Sequence, residues 1–228
     1  MALMLPSISV SLLVGSAGSN TFARNRGGNY VKVRKTSANP QTIYQQNQRA
    51  IVSTISTLWA TLSDSQRNGW ATASADFPYT NKIGQLKYYS GFQLFVKFNL
   101  NLVLIGSSTI LDAPSPYSFV EFTEFYITTL DSSNMNLQLN AASTDSHATY
   151  CIYATAPQGL GIMVVGPTAY KLIATETMNS SVSDNFNTAY TARFGAYASG
   201  TKIFFKAVPV SAINGQRSID RYTNGIVT

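Results

Sequence analysis

The sequence predicts an α+β protein: a basic N-terminal region of strands and three helices, followed by an all-β sandwich of immunoglobulin or fibronectin-III outline. Three observations predict it. Apolar residues recur at helical spacing between residues 42 and 105. Short segments rich in β-formers, parted by turn signals, fill residues 119–226. The charge balance changes sign between the two. Residues 1–110 hold ten Lys and Arg against Asp64 and Asp76, a net of +8, whereas residues 111–228 hold six against eight acids, a net of −2. A chain of 228 residues fits one large or two modest domains. The boundary is expected at residues 107–118, where Ser107-Ser108, Asp112, Pro114 and Pro116 break the periodicity. This gives an N-terminal region over 1–110 and a sandwich over 111–228.

Residues 6–14, Pro-Ser-Ile-Ser-Val-Ser-Leu-Leu-Val, alternate at first and predict a strand. Met1 to Val14 is apolar enough for a signal peptide, but it lacks a basic start and Pro6 interrupts it. Packing against protein is the expectation. No run reaches ~18 apolar residues, so no membrane partner is expected. Gly27-Gly28 permits a bend, and Tyr30 to Lys35 then alternates strictly. Tyr30, Lys32 and Arg34 fall on one side, Val31, Val33 and Lys35 on the other. Tyr44, Ile51, Ile55, Leu58, Trp59 and Leu62 predict a helix over ~42–61. Ser63 with Gln66 three residues on predicts a capping box for a second helix, anchored by Trp70 and ending near Phe77-Pro78. Ser90 is the expected N-cap of a third, carrying Phe92, Phe95, Phe98, Leu102 and Ile105 on a core-facing stripe and stopped by Gly106.

Strands are expected at Phe119–Leu130, Met135–Ala141, Ala148–Thr155, Thr168–Thr175, Lys202–Ser211 and Arg217–Ile226. Asn185 to Arg193 is expected to form a short helix or an irregular crossing between sheets.

The chemistry of the chain is sparse. Its one histidine, His147, sits beside Asp145 in a polar turn, and neighbours in one turn do not make a catalytic triad. The one cysteine, Cys151, lies in the apolar run Tyr150 to Tyr153 and is expected to be a buried thiol. Glu121 and Glu124, three apart on a strand, point to opposite faces and do not pair. No HExxH, GxSxG, P-loop or EF-hand pattern occurs. The expectation is a protein that is not an enzyme, with no catalytic residue, cofactor or metal.

One constellation stands out. Arg24, Arg26, Lys32, Arg34 and Lys35 place five cations within twelve residues, with Tyr30 between them and no acid before Asp64. Such groups suit phosphates. No nucleic-acid-binding fold accompanies them, so these six residues are expected to meet acidic or carbonyl-rich faces of protein neighbours. Nucleic acid is the weaker alternative.

The same residues carry a resemblance. Phe22-Ala-Arg-Asn-Arg-Gly-Gly28 and Tyr30-Val-Lys-Val-Arg34, followed by Asn39-Pro-Gln-Thr42, Gln45-Gln46 and Arg49, resemble a poorly characterised structural family of tailed phages and prophages. Its pattern is FSRNRGG-x-Y-x-R-x-R, then NP-x-T-x-x-Q. Leu62-Ser-Asp-Ser-Gln-Arg67 with Trp70 is similar to its LT-x-x-QR-x-x-W helix. Gly91-Phe-Gln-Leu-Phe95 with Asn99 is similar to its G-x-x-LF-x-x-x-N helix, and Pro114 with Pro116 to its P-x-P linker. Ala23, Lys32 and Ser63 depart mildly from the pattern. The resemblance covers the first ~115 residues well and the rest in outline, where the family also ends in an Ig-like β-sandwich.

It implies a virion component without catalytic residues: a capsid decoration protein or a part of the tail, neck or fibre. Its partners would be other virion proteins and copies of itself. The alternatives are a host-surface module binding a glycan or receptor, for which Tyr117, Tyr126, Tyr150, Tyr153, Tyr170, Tyr190 and Tyr197 offer stacking surfaces, and a basic protein associated with the genome.

Overall fold

The computed structural model describes residues 2–3, 14–25, 28–35, 39, 41–81, 84–120, 122–178 and 181–228. Arg26, Glu121 and residues 6–13 of the expected first strand lie outside them. The protein is α+β, with four helices and several antiparallel sheets among the described residues. The chain divides into two compact units, Met1–Asn47 and Gln48–Thr228.

The first unit is an antiparallel sheet of β1 (Ala2–Leu3), β2 (Gly15–Ala17), β3 (Asn20–Asn25) and β4 (Gly28–Val33), in the order β1-β4-β3-β2. Ala17 pairs with Asn20 across a two-residue turn in which Gly18 takes φ 56, a conformation glycine adopts without strain. α1 (Ile43–Thr61) begins in this unit and runs into the second.

The second unit opens with helices. α2 (Asp64–Ala73) starts at the expected capping box of Ser63 and Gln66, and α3 (Gly91–Leu104) at an equivalent box of Ser90 and Gln93. A small hairpin of β5 (Tyr79–Thr80) and β6 (Leu86–Lys87) lies between them. Trp70, Phe95, Phe98, Leu94 and Ile55 form the helical core. Phe95 lies 5.3 Å from Trp70 and Phe98 lies 4.8 Å from Phe77, both edge to face. Phe92 does not join them and is 41% exposed. At 3.6 residues per turn a three-residue spacing drifts about 60° per step, so a Phe92–Phe95–Phe98 stripe cannot stay on one face.

The strands beyond residue 119 form two sheets around a second core. β7 (Phe122–Leu130), β8 (Met135–Ala141) and β11 (Ser181–Asn185) make one, in the order β11-β8-β7. β9 (Asp145–Ala154), β10 (Lys171–Met178), β12 (Lys202–Ser211) and β13 (Arg221–Ile226) make the other, in the order β10-β9-β12-β13. Met135, Leu137 and Leu139 from one sheet meet Tyr150, Ile152, Ile203 and Phe205 from the other. β8 alternates buried and half-buried along its whole length, as its sequence requires. α4 (Asn187–Phe194) occupies the expected crossing, with Tyr190 buried in the shared core. β11 was absent from the expected strands. Its sequence, Ser-Val-Ser-Asp-Asn, has little apolar signal, and Ser183, Asp184 and Asn185 are exposed on an edge.

The segment 107–118 lies inside the second unit. Trp70 Nε1 donates to Leu111 O (2.8 Å), Gln66 Nε2 to Asp112 Oδ1 (2.8 Å) and the Ile110 N–H to Asn99 Oδ1 (2.8 Å). Its other end meets the strands: the Tyr117 N–H donates to Gln216 Oε1 (2.7 Å) and Asn214 Nδ2 to Ser115 O (3.0 Å). The end of α3 is tied there as well. Asn101 Nδ2 donates to Gly215 O (2.7 Å), and Leu104 and Ile105 pack on Cys151, Val208 and Val210. A proline-marked segment is a hinge only when its backbone groups face water, and those of Ile110 and Leu111 are held by the helices and those of Ser115 and Tyr117 by the strands.

Candidate functional site

Register decides what the basic constellation presents. Paired residues in an antiparallel sheet share a face. Ala23 pairs with Tyr30 and Thr21 with Lys32, which puts Tyr30 and Lys32 on one face. The Ser16 and Thr21 hydroxyls, 3.1 Å apart, share that face. Arg24 pairs with Asn29 and Phe22 with Val31, which puts Arg24 on the opposite face. Arg34 follows the sheet, its N–H donating to Ser19 O (2.7 Å). Arg24, Lys32, Arg34 and Lys35 are exposed and Tyr30 is half-buried. The cations therefore cover both faces of the sheet.

The sheet has little core of its own. Among the described side chains of residues 14–47 none is buried, and Val33 is 72% exposed. A small antiparallel sheet needs an apolar face packed on something to be stable in water.

The residues singled out for catalysis do not converge. His147 is exposed at the start of β9, on a strand rather than in a turn. Asp145 turns inward. It accepts from the Tyr117 hydroxyl at 2.7 and 2.8 Å and from the His147 N–H at 3.0 Å. Burial, and then the Asp145 carboxylate, push the Tyr117 hydroxyl up to about 12. The pair fastens the end of the 107–118 segment to β9, and no local pattern announces it because the partners stand 28 residues apart. Glu124 is exposed and accepts from Asn140 Nδ2 at 2.8 Å. Among the described residues no group of three or more His, Cys, Asp or Glu could hold a metal, and no helix is long and apolar enough to cross a membrane.

No family model matches the chain. Neither a curated protein nor a solved structure matches it.

Cys151 is a free, buried thiol beneath the end of α3. Burial pushes it up to about 11, against the pull of Arg217 and Lys206. A thiol held protonated and covered is inert. Native protein at pH 8 is expected to resist iodoacetamide, and protein in denaturant to take up one carboxamidomethyl group, read by intact mass. Prompt labelling of the native protein would mean that α3 does not cover the sheet.

Proposed function

We propose that this chain is a non-catalytic structural component of a phage-type virion, anchored in the particle by residues 1–35 and displaying a sandwich of fibronectin-III outline. One observation carries the reading: a four-stranded sheet in which none of the described side chains of residues 14–33 is buried and in which exposed cations stand on both faces. Residues 1–63 hold no acid, so the countercharge is not local. Such a sheet gains order by packing its faces and edges on neighbours, with strand addition satisfying the backbone and ion pairs fixing register. The neighbours are other virion proteins or further copies of this chain, in a capsid decoration, tail, neck or fibre position.

The strand order of the second unit supports the sandwich. A three-stranded sheet whose strands come first, second and fifth faces a four-stranded sheet of the third, fourth, sixth and seventh. This is the division of a fibronectin-III-like fold, whose relatives serve as display and contact modules.

Changing Arg24, Lys32 and Arg34 together to Gln is expected to lower the amount of this protein in purified particles about tenfold at equal expression. Three exposed pairs of roughly 0.5 kcal/mol each sum to about 1.5 kcal/mol. The melting of the second unit is expected to stay unchanged. Equal incorporation would overturn the anchoring role. Loss seen only in particles that also lack nucleic acid would replace it with phosphate binding.

A second reading, host-glycan binding, is favoured by one feature. On the four-stranded sheet Tyr222 is 60% exposed, 5.9 Å from the Tyr170 ring and within 3.2 Å of Asp220, which also pairs with Lys206. An open ring beside donors and acceptors suits a sugar. Of the other tyrosines, Tyr150 and Tyr190 are buried and Tyr117 is committed to Asp145.

A further inference from the structure

α3 is apolar on two sides. Leu94, Phe95, Phe98 and Leu102 are buried, and its two buried asparagines are spent on backbone carbonyls. A second stripe, Phe92, Val96, Leu100 and Leu104, recurs every fourth residue; Phe92 is exposed, and the other three, which touch the cores on one side, are only half-buried. It lines a groove of about 1000 Å³ with Ile51 and Val52 of α1 opposite. A helix apolar on both sides is normally covered on both.

The rim of this groove is cationic. Lys97 Nζ sits 4.3 Å above the Tyr89 ring centre and donates to a tyrosine hydroxyl, Tyr89 Oη, at 3.0 Å. Arg217, exposed, lies close enough to the Tyr153 hydroxyl for its charge to pull against the burial of that group. Both cations line the groove, and among the described residues no carboxylate does. A cation parked on a tyrosine keeps donors to spare, and beside an apolar floor its attraction for an anion is weakly screened.

We propose that the groove between α1 and α3 is the docking site for an acidic amphipathic segment of a neighbouring protein, its apolar side chains filling the Phe92–Leu104 stripe and its carboxylates meeting Lys97 and Arg217. Charge decides among occupants. The apolar residues 4–13 of another copy carry no acid and would leave both cations unanswered. A helix laid in a groove by anchors at three- and four-residue spacing is an established recognition mode. The inference extends the assembly reading by naming an acidic partner, but it concerns another surface. Its test uses the intact isolated chain, so failure here leaves the anchoring by residues 1–35 standing.

The probe is a designed helical peptide of about 18 residues, with leucines along one face and glutamates flanking them, against the same peptide with lysines in place of the glutamates. Fluorescence anisotropy is expected to show the glutamate peptide binding at least tenfold more tightly. Arg217→Glu, at an exposed position, is expected to lose most of that preference, and Lys97→Glu with Arg217→Glu to reverse it. Val52→Asp is expected to weaken the glutamate peptide at least tenfold with unchanged thermal melting. Equal affinity for the two peptides, or a preference that survives both charge reversals, would overturn the proposal. So would self-association that Val52→Asp abolishes while neither peptide binds, which would give the groove to a second copy.

Discussion

Gly215→Ala is expected to destabilise the second unit by roughly 2–5 kcal/mol, measured by urea unfolding. Two costs combine. Gly215 takes φ 73, a left-handed conformation that costs an ordinary residue roughly 1–2 kcal/mol. A β-carbon there would also fall on the carbonyl oxygen of Phe98 and lie 3.2 Å from Leu102 Cγ. The obstacle is the backbone of a packed helix, which cannot turn aside as a flexible side chain would, and overpacking of this kind costs roughly 1–3 kcal/mol. The contact is also where α3 meets the turn before β13, and Asn101 donates to the carbonyl of the same glycine. The variant should therefore loosen the helices from the sheet. Cys151, covered by Leu104 and Ile105, should become open to alkylation before the sheets unfold. A loss below about 1 kcal/mol would show that the helix and the turn are not in contact.

The helices were legible because their signals are local. Ser63 with Gln66 and Ser90 with Gln93 satisfy backbone donors within one turn, so sequence spacing alone predicts them. β8 and β12 were legible for a similar reason, since burial of one face of β8 forces a two-residue period and burial of most of β12 on both faces gives an apolar run broken only by Lys206. What escaped depends on partners distant in sequence. Trp70 and Leu111 are 41 residues apart, and Tyr117 and Gln216 are 99, so nothing near Pro114 says that its segment is stitched down on both sides. β11 owes its place to the β8 edge rather than to its own residues. The candidate interface was legible as composition and not as geometry. Five cations within twelve residues are plain in the sequence, but the register that sends Arg24 and Lys32 to opposite faces belongs to the pairing of β3 with β4. The groove stripe on α3 was within reach. Phe92, Val96, Leu100 and Leu104 keep a four-residue spacing that the three-residue spacing of the phenylalanines obscures.

Trp70→Ala is expected to cost about 3–5 kcal/mol, and Trp70→Phe about 1–2. Trp70 is fully buried at the centre of the helical core, 5.3 Å from Phe95 and 6.3 Å from Phe98. Alanine removes the ring and leaves a cavity that the surrounding aromatic side chains, fixed edge to face, fill only in part. Phenylalanine keeps most of the apolar volume and removes the indole N–H, so the Leu111 carbonyl loses its 2.8 Å donor. The difference between the two variants separates packing from tethering. Both should free the 107–118 segment at Leu111, while Asn99 and Gln66 still hold Ile110 and Asp112. Limited proteolysis under native conditions should then cut between residues 107 and 118 in both variants, faster in the alanine one, and spare the wild type. If the wild type is cut there as readily, the segment is a free linker and the helices and sheets of the second unit are not one body. If Trp70→Phe is cut no faster than wild type while Trp70→Ala is, the ring alone holds the segment and the hydrogen bond adds nothing. Trp59, which touches Phe92 and Phe95 from α1, remains in both variants as the fluorescent reporter of the helical core.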